Sequence, residues 1–196
     1  MNRPAVFIDK DGTLIEDVPY NVDPARIRLA PDAGPALRRL HERGFRIAVI
    51  SNQSGVAMGR FEETALVGVE RRLRQMLAEF GVPLLAMYWC PHHPDGSVAR
   101  YAVECDCRKP QAGLLLRAAD AHRVDLGASW MVGDILDDIE AGRRAGCRTI
   151  LIDNGHETQW RTSPLRSPHV VASSLMRAAE AVCDALLQPA PCPAEP

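Results

Sequence analysis

Short, partly β-branched apolar runs recur along the chain at Ala5–Ile8, Ile47–Ile50, Leu84–Trp89, Trp130–Val132 and Thr149–Ile152, and most of the intervals between them carry helical periodicity. That alternation predicts an α/β fold: a doubly wound, Rossmann-like, mostly parallel sheet with helices on both faces. A first helix is expected from Asp32 as N-cap to about Arg43, stopped by Gly44, and a second over about 62–80 before Gly81. A third follows Pro110 to about His122, a fourth covers about 136–145 before Gly146, and a last one about 174–187. Doubly wound sheets bind ligands beyond the carboxyl ends of their strands. Asp9, Ser51, Cys90 and Asp134 each stand just after a predicted strand, so the polar residues of interest converge on one edge.

Composition narrows the picture. The chain has 196 residues without a long polar or Gly/Ser tract, which predicts one domain over 1–187, large enough to bury roughly 70% of its unfolded surface. The segment 188–196, with Pro189, Pro191, Pro193 and Pro196, has too few apolar groups to pack and is expected to be a disordered tail. A formal charge of −2 provides no global basic field for nucleic acid, so phosphate binding must rest on local groups. Met1-Asn2-Arg3-Pro4 runs straight into the first strand and no stretch of ~18 apolar residues occurs, so a cytoplasmic protein with no membrane partner is expected, and its expected state is a monomer. Of the six cysteines, Cys90, Cys105 and Cys107 fall in one loop, whereas Cys147, Cys183 and Cys192 are scattered. Reduced thiols and a metal fit this better than disulfides, with Cys147 and Cys183 read as small buried hydrophobes.

Val6-Phe7-Ile8-Asp9-Lys10-Asp11-Gly12-Thr13 places two carboxylates two residues apart where a strand enters a glycine turn. Unperturbed carboxyls titrate near pH ~3.9, so both are ionised at neutrality and need a cation between them and any anionic substrate, which implies a divalent metal. Asp9, held at the end of a buried strand, is placed to attack phosphorus in line with a leaving oxygen. Asp11 is placed to protonate that oxygen and later to deprotonate water. After the second strand, Ser51-Asn52-Gln53-Ser54-Gly55 supplies hydroxyl, amide and backbone donors suited to phosphate oxygens. Gly133-Asp134-Ile135-Leu136-Asp137-Asp138 makes a third acid-bearing strand end, where Asp137 reads as a first-turn helix acid. Lys109, before Pro110 at a helix start, can offset the negative charge gathered round a phosphoryl group. Cys90, His92, Cys105 and Cys107 present two Cys-x-Cys/His pairs, the donor set of a closed structural Zn²⁺ site in an inserted loop spanning 90–107. His93 is the alternative to His92. Such a loop would hold Arg108 and Lys109 over the site.

The motif Asp9-x-Asp11-Gly12-Thr13, Ser51 after the second strand, Lys109, and Gly133-Asp134-x-x-x-Asp138, in this order, resemble the haloacid dehalogenase superfamily, whose members mostly transfer phosphoryl groups through an aspartyl-phosphate. The resemblance implies Mg²⁺ on Asp9, Asp134 and the carbonyl of Asp11, Ser51 as binder of the transferring phosphoryl group, and Asp138 as an orienting group. Tyr88-Trp89-Cys90-Pro91-His92-His93-Pro94-Asp95-Gly96, Cys105-Asp106-Cys107-Arg108-Lys109-Pro110 and Asn52-Gln53-Ser54-Gly55-Val56-Ala57 are similar to the D-glycero-D-manno-heptose 1,7-bisphosphate phosphatases, over about 5–153. That family has no large cap domain and removes the 7-phosphate of a small sugar bisphosphate. By position it implies Asp17 and Tyr20 on the sugar, Ser51, Asn52, Gln53 and Ser54 at the phosphoryl end, and Arg108 with Lys109 on anionic groups. Ile135 departs from the family's lysine, which bears on the grip on the distal phosphate. The rivals are histidinol-phosphate phosphatase, which shares these motifs, a non-catalytic phospho-aspartate switch, and a zinc-ribbon nucleic-acid module.

Overall fold

The computed structural model describes residues 2–187; the expected tail over 188–196 lies outside the described residues. Six strands form one parallel sheet: β1 (Ala5–Ile8), β2 (Arg46–Asn52), β3 (Leu84–Cys90), β4 (Trp130–Gly133), β5 (Arg148–Ile152) and β6 (Val170–Ala172), in the order β3-β2-β1-β4-β5-β6. The chain starts at the centre, winds outward to β3, and returns to lay β4 on the other side of β1, so the switch point lies between β1 and β4.

The helices are α1 (Ala33–Glu42), α2 (Ala65–Ala78), α3 (Gly113–His122), α4 (Leu136–Arg144) and α5 (Leu175–Ala185). Strand alternation divides the core. Val6 and Ile8 of β1 pack with Leu37 and Leu40 of α1, Val69 and Leu73 of α2, and Ala179 and Val182 of α5. Ala5 and Phe7, pointing the other way, pack with Leu114, Leu115 and Ala118 of α3 and Ala141 of α4. All these side chains are essentially fully buried. With both faces covered, the strands read as near-continuous apolar runs, and the buried termini of β1 and β4 hold whatever follows them rigidly. Gly44, Gly81 and Gly146, placed as helix stops, all have positive φ.

Three details differ from the expectation. Asp32 precedes α1 with φ of 60° and makes no side-chain capping bond. The second helix begins at Ala65, and Glu63, expected inside it, precedes it, its carboxylate accepting from Trp89 Nε1 at 2.9 Å and from the Tyr101 hydroxyl at 2.8 Å, which ties the entrance of the cysteine loop to a residue within it. The sixth strand, β6, extends the sheet beyond the five predicted runs. No helix among the described residues is long and apolar enough to cross a membrane.

Candidate active site

Four strand ends meet at the switch point. Asp9 follows β1, its backbone N–H donating to Val132 O at 2.9 Å, so the tip of β4 fixes its direction. Gly12 has φ of +80°, and a Cβ there would lie 2.2 Å from Asp134 Oδ2, so the turn both needs glycine and brings Asp134 close. Thr13 Oγ1 donates to Asp134 Oδ1 at 3.2 Å. One oxygen each of Asp9, Asp134 and Asp138 lie within 4.8 Å of one another, and all three residues are buried.

Lys109 reaches this cluster from the loop before α3. It is 2% exposed, and its ammonium donates to the carboxylate of Asp9, to Asp138 Oδ1 at 2.5 Å and to Ile50 O at 3.1 Å. Asn52 holds the Lys109 backbone from both sides, donating from Nδ2 to its carbonyl and accepting at Oδ1 from its N–H, each at 3.0 Å. Asp138, the third residue of α4, also accepts from Ile135 N at 3.3 Å, so it ties the helix start to Lys109. Gly133 makes room: a Cβ there would meet Asp138 Oδ2 at 2.2 Å.

The carboxylate of Asp11 is not part of that cluster. Its Oδ2 accepts from Gln53 Nε2 at 2.9 Å and its Oδ1 pairs with the Lys10 ammonium at 2.9 Å, while Gln53 Nε2 also meets Ser51 Oγ at 2.8 Å. Asp11 opens on a cavity of about 140 Å³ lined by Asp17, Tyr20, Asn52, Gln53 and Ser54, which brings those predicted positions together. Ser51 is buried beneath them. Arg108 stands apart, lining a neighbouring groove with Glu104 and Asp137, and its Nη1 donates to His92 O at 3.3 Å.

Electrostatics follow from burial. Burial, against the opposing pull of Lys109, pushes the Asp9 carboxyl up to about 7, with Asp138 and Asp11 adding to the rise. Burial likewise raises Asp134, where nearby Asp9 adds, and Asp138. For Lys109 burial lowers the value, but Asp138 and Asp9 outweigh it and hold the ammonium charged. The site has more buried carboxylate than cation. Hard oxygen donors in deficit of positive charge are what Mg²⁺ takes, so the Asp9 and Asp134 carboxylates fit that ion.

The loop cluster fits zinc. Cys90 Sγ lies 3.5 Å from Cys105 Sγ and 3.2 Å from Cys107 Sγ, Cys105 and Cys107 are 3.2 Å apart, and His92 Nδ1 is 3.4 Å from Cys107 and 3.6 Å from Cys90. Four ligands at about 2.3 Å from one ion stand about 3.7 Å apart, close to what is seen. His92 is the histidine that joins, since His93 Nδ1 turns outward to accept from Asp95 N at 3.2 Å. Arg108 N donates to Cys105 Sγ at 3.4 Å, so the cluster grips the chain next to Lys109.

Sequence reasoning missed the segment after β5. Asn154 Nδ2 donates to Gly12 O at 2.8 Å, His156 Nδ1 lies 2.6 Å from Asp134 Oδ2, and Glu157 Oε2 accepts from Leu136 N at 2.7 Å. The signal was present: Asp153-Asn154-Gly155-His156 follows a strand on the same edge as Asp9 and Asp134.

Comparison with known proteins agrees with this geometry. Residues 106–178 match a family model described as HAD-hydrolase-like. Two proteins named D-glycero-beta-D-manno-heptose-1,7-bisphosphate 7-phosphatase are each 40% identical over 153 residues: that of Yersinia pestis (78% of this chain, 81% of that protein) and that of Escherichia coli K12 (78% and 80%). Among solved structures, a HAD-like phosphatase of Mesorhizobium loti has a TM-score of 0.81 at 34% identity, covering 94% of this chain and 88% of that one. The D,D-heptose 1,7-bisphosphate phosphatase of B. bronchiseptica, complexed with magnesium and phosphate, has a TM-score of 0.78 at 29% identity, covering 93% and 99%. Likeness of this extent makes this chain a member of the haloacid dehalogenase superfamily and, within it, of the heptose 1,7-bisphosphate phosphatases.

Proposed function

We propose that the protein is a Mg²⁺-dependent phosphomonoester hydrolase that removes the 7-phosphate of D-glycero-D-manno-heptose 1,7-bisphosphate, working as a cytoplasmic monomer whose 1–187 form one phosphatase domain. The observation that carries this reading is the buried set Asp9, Lys109 and Asp138 at the switch point, with the half-buried Asn52 holding the Lys109 backbone, in a chain 40% identical to named heptose bisphosphate 7-phosphatases.

Asp9 attacks phosphorus; the ester P–O bond breaks as the Asp9 O–P bond forms, and the electron pair leaves on the sugar oxygen. Asp11 gives that oxygen its proton. Asp11 then takes a proton from water as the water oxygen attacks phosphorus, which returns Asp9 and releases phosphate. Lys109 offsets the charge of the nucleophile and of the phosphoryl oxygens, and Asp138 and Asn52 hold it there. Ser51 to Ser54 bind the phosphoryl end, Asp17 and Tyr20 the sugar, and Arg108 the outer anionic group. Mg²⁺, held by Asp9, Asp134 and the Asp11 carbonyl, would supply charge neutralisation between carboxylate and phosphate. Zn²⁺ on Cys90, His92, Cys105 and Cys107 would shape the loop that carries Arg108 and Lys109.

The test is acid-stable trapping of a phosphorylated enzyme during turnover. Incubation with a ³²P-labelled sugar bisphosphate and Mg²⁺ should leave label on the peptide containing Asp9, and Asp9→Asn should leave none. Label on Asp9 that persists without turnover would instead mark a phospho-aspartate switch.

A further inference from the structure

The chain contains two lysines, Lys10 and Lys109, and both are buried in the site, 1% and 2% exposed. A buried ammonium is costly to desolvate and is held only where its charge is matched. Lys109 meets two carboxylates and a carbonyl. Lys10 has a single ionic partner among the described residues, Asp11 Oδ1 at 2.9 Å, and its side chain lines the same cavity as Asp17, Tyr20 and Ser54.

Asp11 is thereby gripped at both oxygens. Gln53 donates to Oδ2, Lys10 holds Oδ1, and the carboxylate itself is one-third exposed, at 33%, toward the cavity. A short carboxylate on a turn has a free χ2 rotation and would otherwise swing. A general acid works only when its oxygen stays within about 2.6–3.2 Å of the atom it protonates. Each carboxylate oxygen has two acceptor sites, so a contact on the protein side leaves one free for the proton in transit.

We propose that Lys10 is a positioning residue for proton transfer: with Gln53 it locks the Asp11 carboxylate in the plane that faces the leaving oxygen of the substrate. The proposal rests on the reading of Asp11 as acid and base given above. An ammonium is suited to this task because it is a compact charge on a flexible stem that three N–H groups let settle on one oxygen. The cost of burying it is accepted at a position where a neutral donor would leave the carboxylate less firmly held.

A leaving alkoxide needs a proton far more than a leaving nitrophenolate does, so leaving-group dependence reads the acid and not the fold. The experiment measures first-turnover release of the leaving group from an alkyl phosphate (the sugar bisphosphate, or glycerol 3-phosphate as surrogate) and from p-nitrophenyl phosphate. It is run on the full chain with Mg²⁺ for the native protein, Lys10→Met, Lys10→Gln, Lys10→Arg and Asp11→Asn. Lys10→Met and Lys10→Gln should lose about 30- to 100-fold on the alkyl phosphate, a fraction of the 10²–10⁴ range that general acid–base catalysis supplies. Their KM should stay within about threefold, and the aryl phosphate should suffer much less. Lys10→Arg should recover most of the loss. Lys10→Gln keeps the test open if the methionine variant folds poorly, since it is neutral yet polar. Equal loss on both substrates, or a loss confined to KM, overturns the proposal. If Asp11→Asn itself shows no preference between alkyl and aryl leaving groups, the acid/base reading has failed first; if Asp11→Asn discriminates and the neutral Lys10 variants do not, only the role of Lys10 has failed.

Discussion

Replacing the nucleophile should stabilise the protein while ending its activity. In the Mg²⁺-free protein the Asp9 carboxyl titrates at about 7 instead of its ordinary 3.8, because it is buried and sits with Asp138 and Asp11. Its folded value is raised, so its contribution to stability is fully present below about pH 4 and is lost as pH climbs through about 7. A tenfold change in proton affinity is worth about 1.4 kcal/mol, which bounds the penalty of ionised Asp9 at roughly 4 kcal/mol. Asp9→Asn removes that penalty but weakens the charge match of Lys109, which then has Asp138 alone. The attraction of Lys109 is already contained in that value, and an amide N–H₂ left unsatisfied in the buried site costs about 2–3 kcal/mol, so the net gain at pH 8 should be about 1–2 kcal/mol. For a chain of this size that is about 2–8 °C in Tm. The assay is thermal unfolding at pH 5 and pH 8, with Mg²⁺ removed by buffer exchange so that zinc is retained. The variant should exceed the native protein at pH 8 and lose that advantage at pH 5. Adding Mg²⁺ at about 100 times its Kd should raise the native protein by about 2.7 kcal/mol and the variant by much less. A variant less stable at both pH values would show that Asp9 carries no burial penalty, and one that keeps the full Mg²⁺ response would show that Asp9 does not hold the metal.

Other consequences follow from the same contacts. Asn52→Ala strips two hydrogen bonds from the Lys109 backbone, and at about 1–3 kcal/mol per unsatisfied buried group it should lower the urea midpoint and reduce kcat more than it raises KM. Gly133→Ala drives a Cβ to within 2.2 Å of Asp138 Oδ2, and the overpacking should cost about 1–3 kcal/mol while kcat falls at least about tenfold as Asp138 is pushed off Lys109. Cys105→Ser should abolish stoichiometric zinc measured by elemental analysis, lower Tm and impair turnover through Arg108 and Lys109, whereas Cys147→Ser, remote from the loop cluster, should keep its zinc.

Much of the fold was legible because a sheet covered on both faces writes its strands as plain apolar runs; Ala5–Ile8 and Trp130–Gly133 could hardly be read otherwise. The strand β6 was not legible: it is three residues long, and Val171 is 58% exposed, so neither length nor alternation marks it. The acidic strand ends were legible because an acid after an apolar run has little reason to be there but chemistry. Partnerships across long sequence separation were not. Nothing local ties Lys109 to Asp138, Asn52 to the Lys109 backbone, or His156 to Asp134; each pair is joined by the winding of the sheet. Lys10 reads in sequence as a spacer between two aspartates, and its burial against Asp11 became visible only with the turn in place.

The decisive measurement is phosphate release with Mg²⁺ from a small panel: both anomers of D-glycero-D-manno-heptose 1,7-bisphosphate, fructose 1,6-bisphosphate and histidinol phosphate. For a heptose bisphosphate 7-phosphatase, kcat/KM for one heptose anomer should exceed that for fructose 1,6-bisphosphate and histidinol phosphate by two or more orders of magnitude, about 3 kcal/mol of transition-state discrimination, with the 1-phosphate left in place. Preference for histidinol phosphate, or loss of the 1-phosphate first, would overturn that assignment and would point to Ile135 as the position where this chain parts from its relatives.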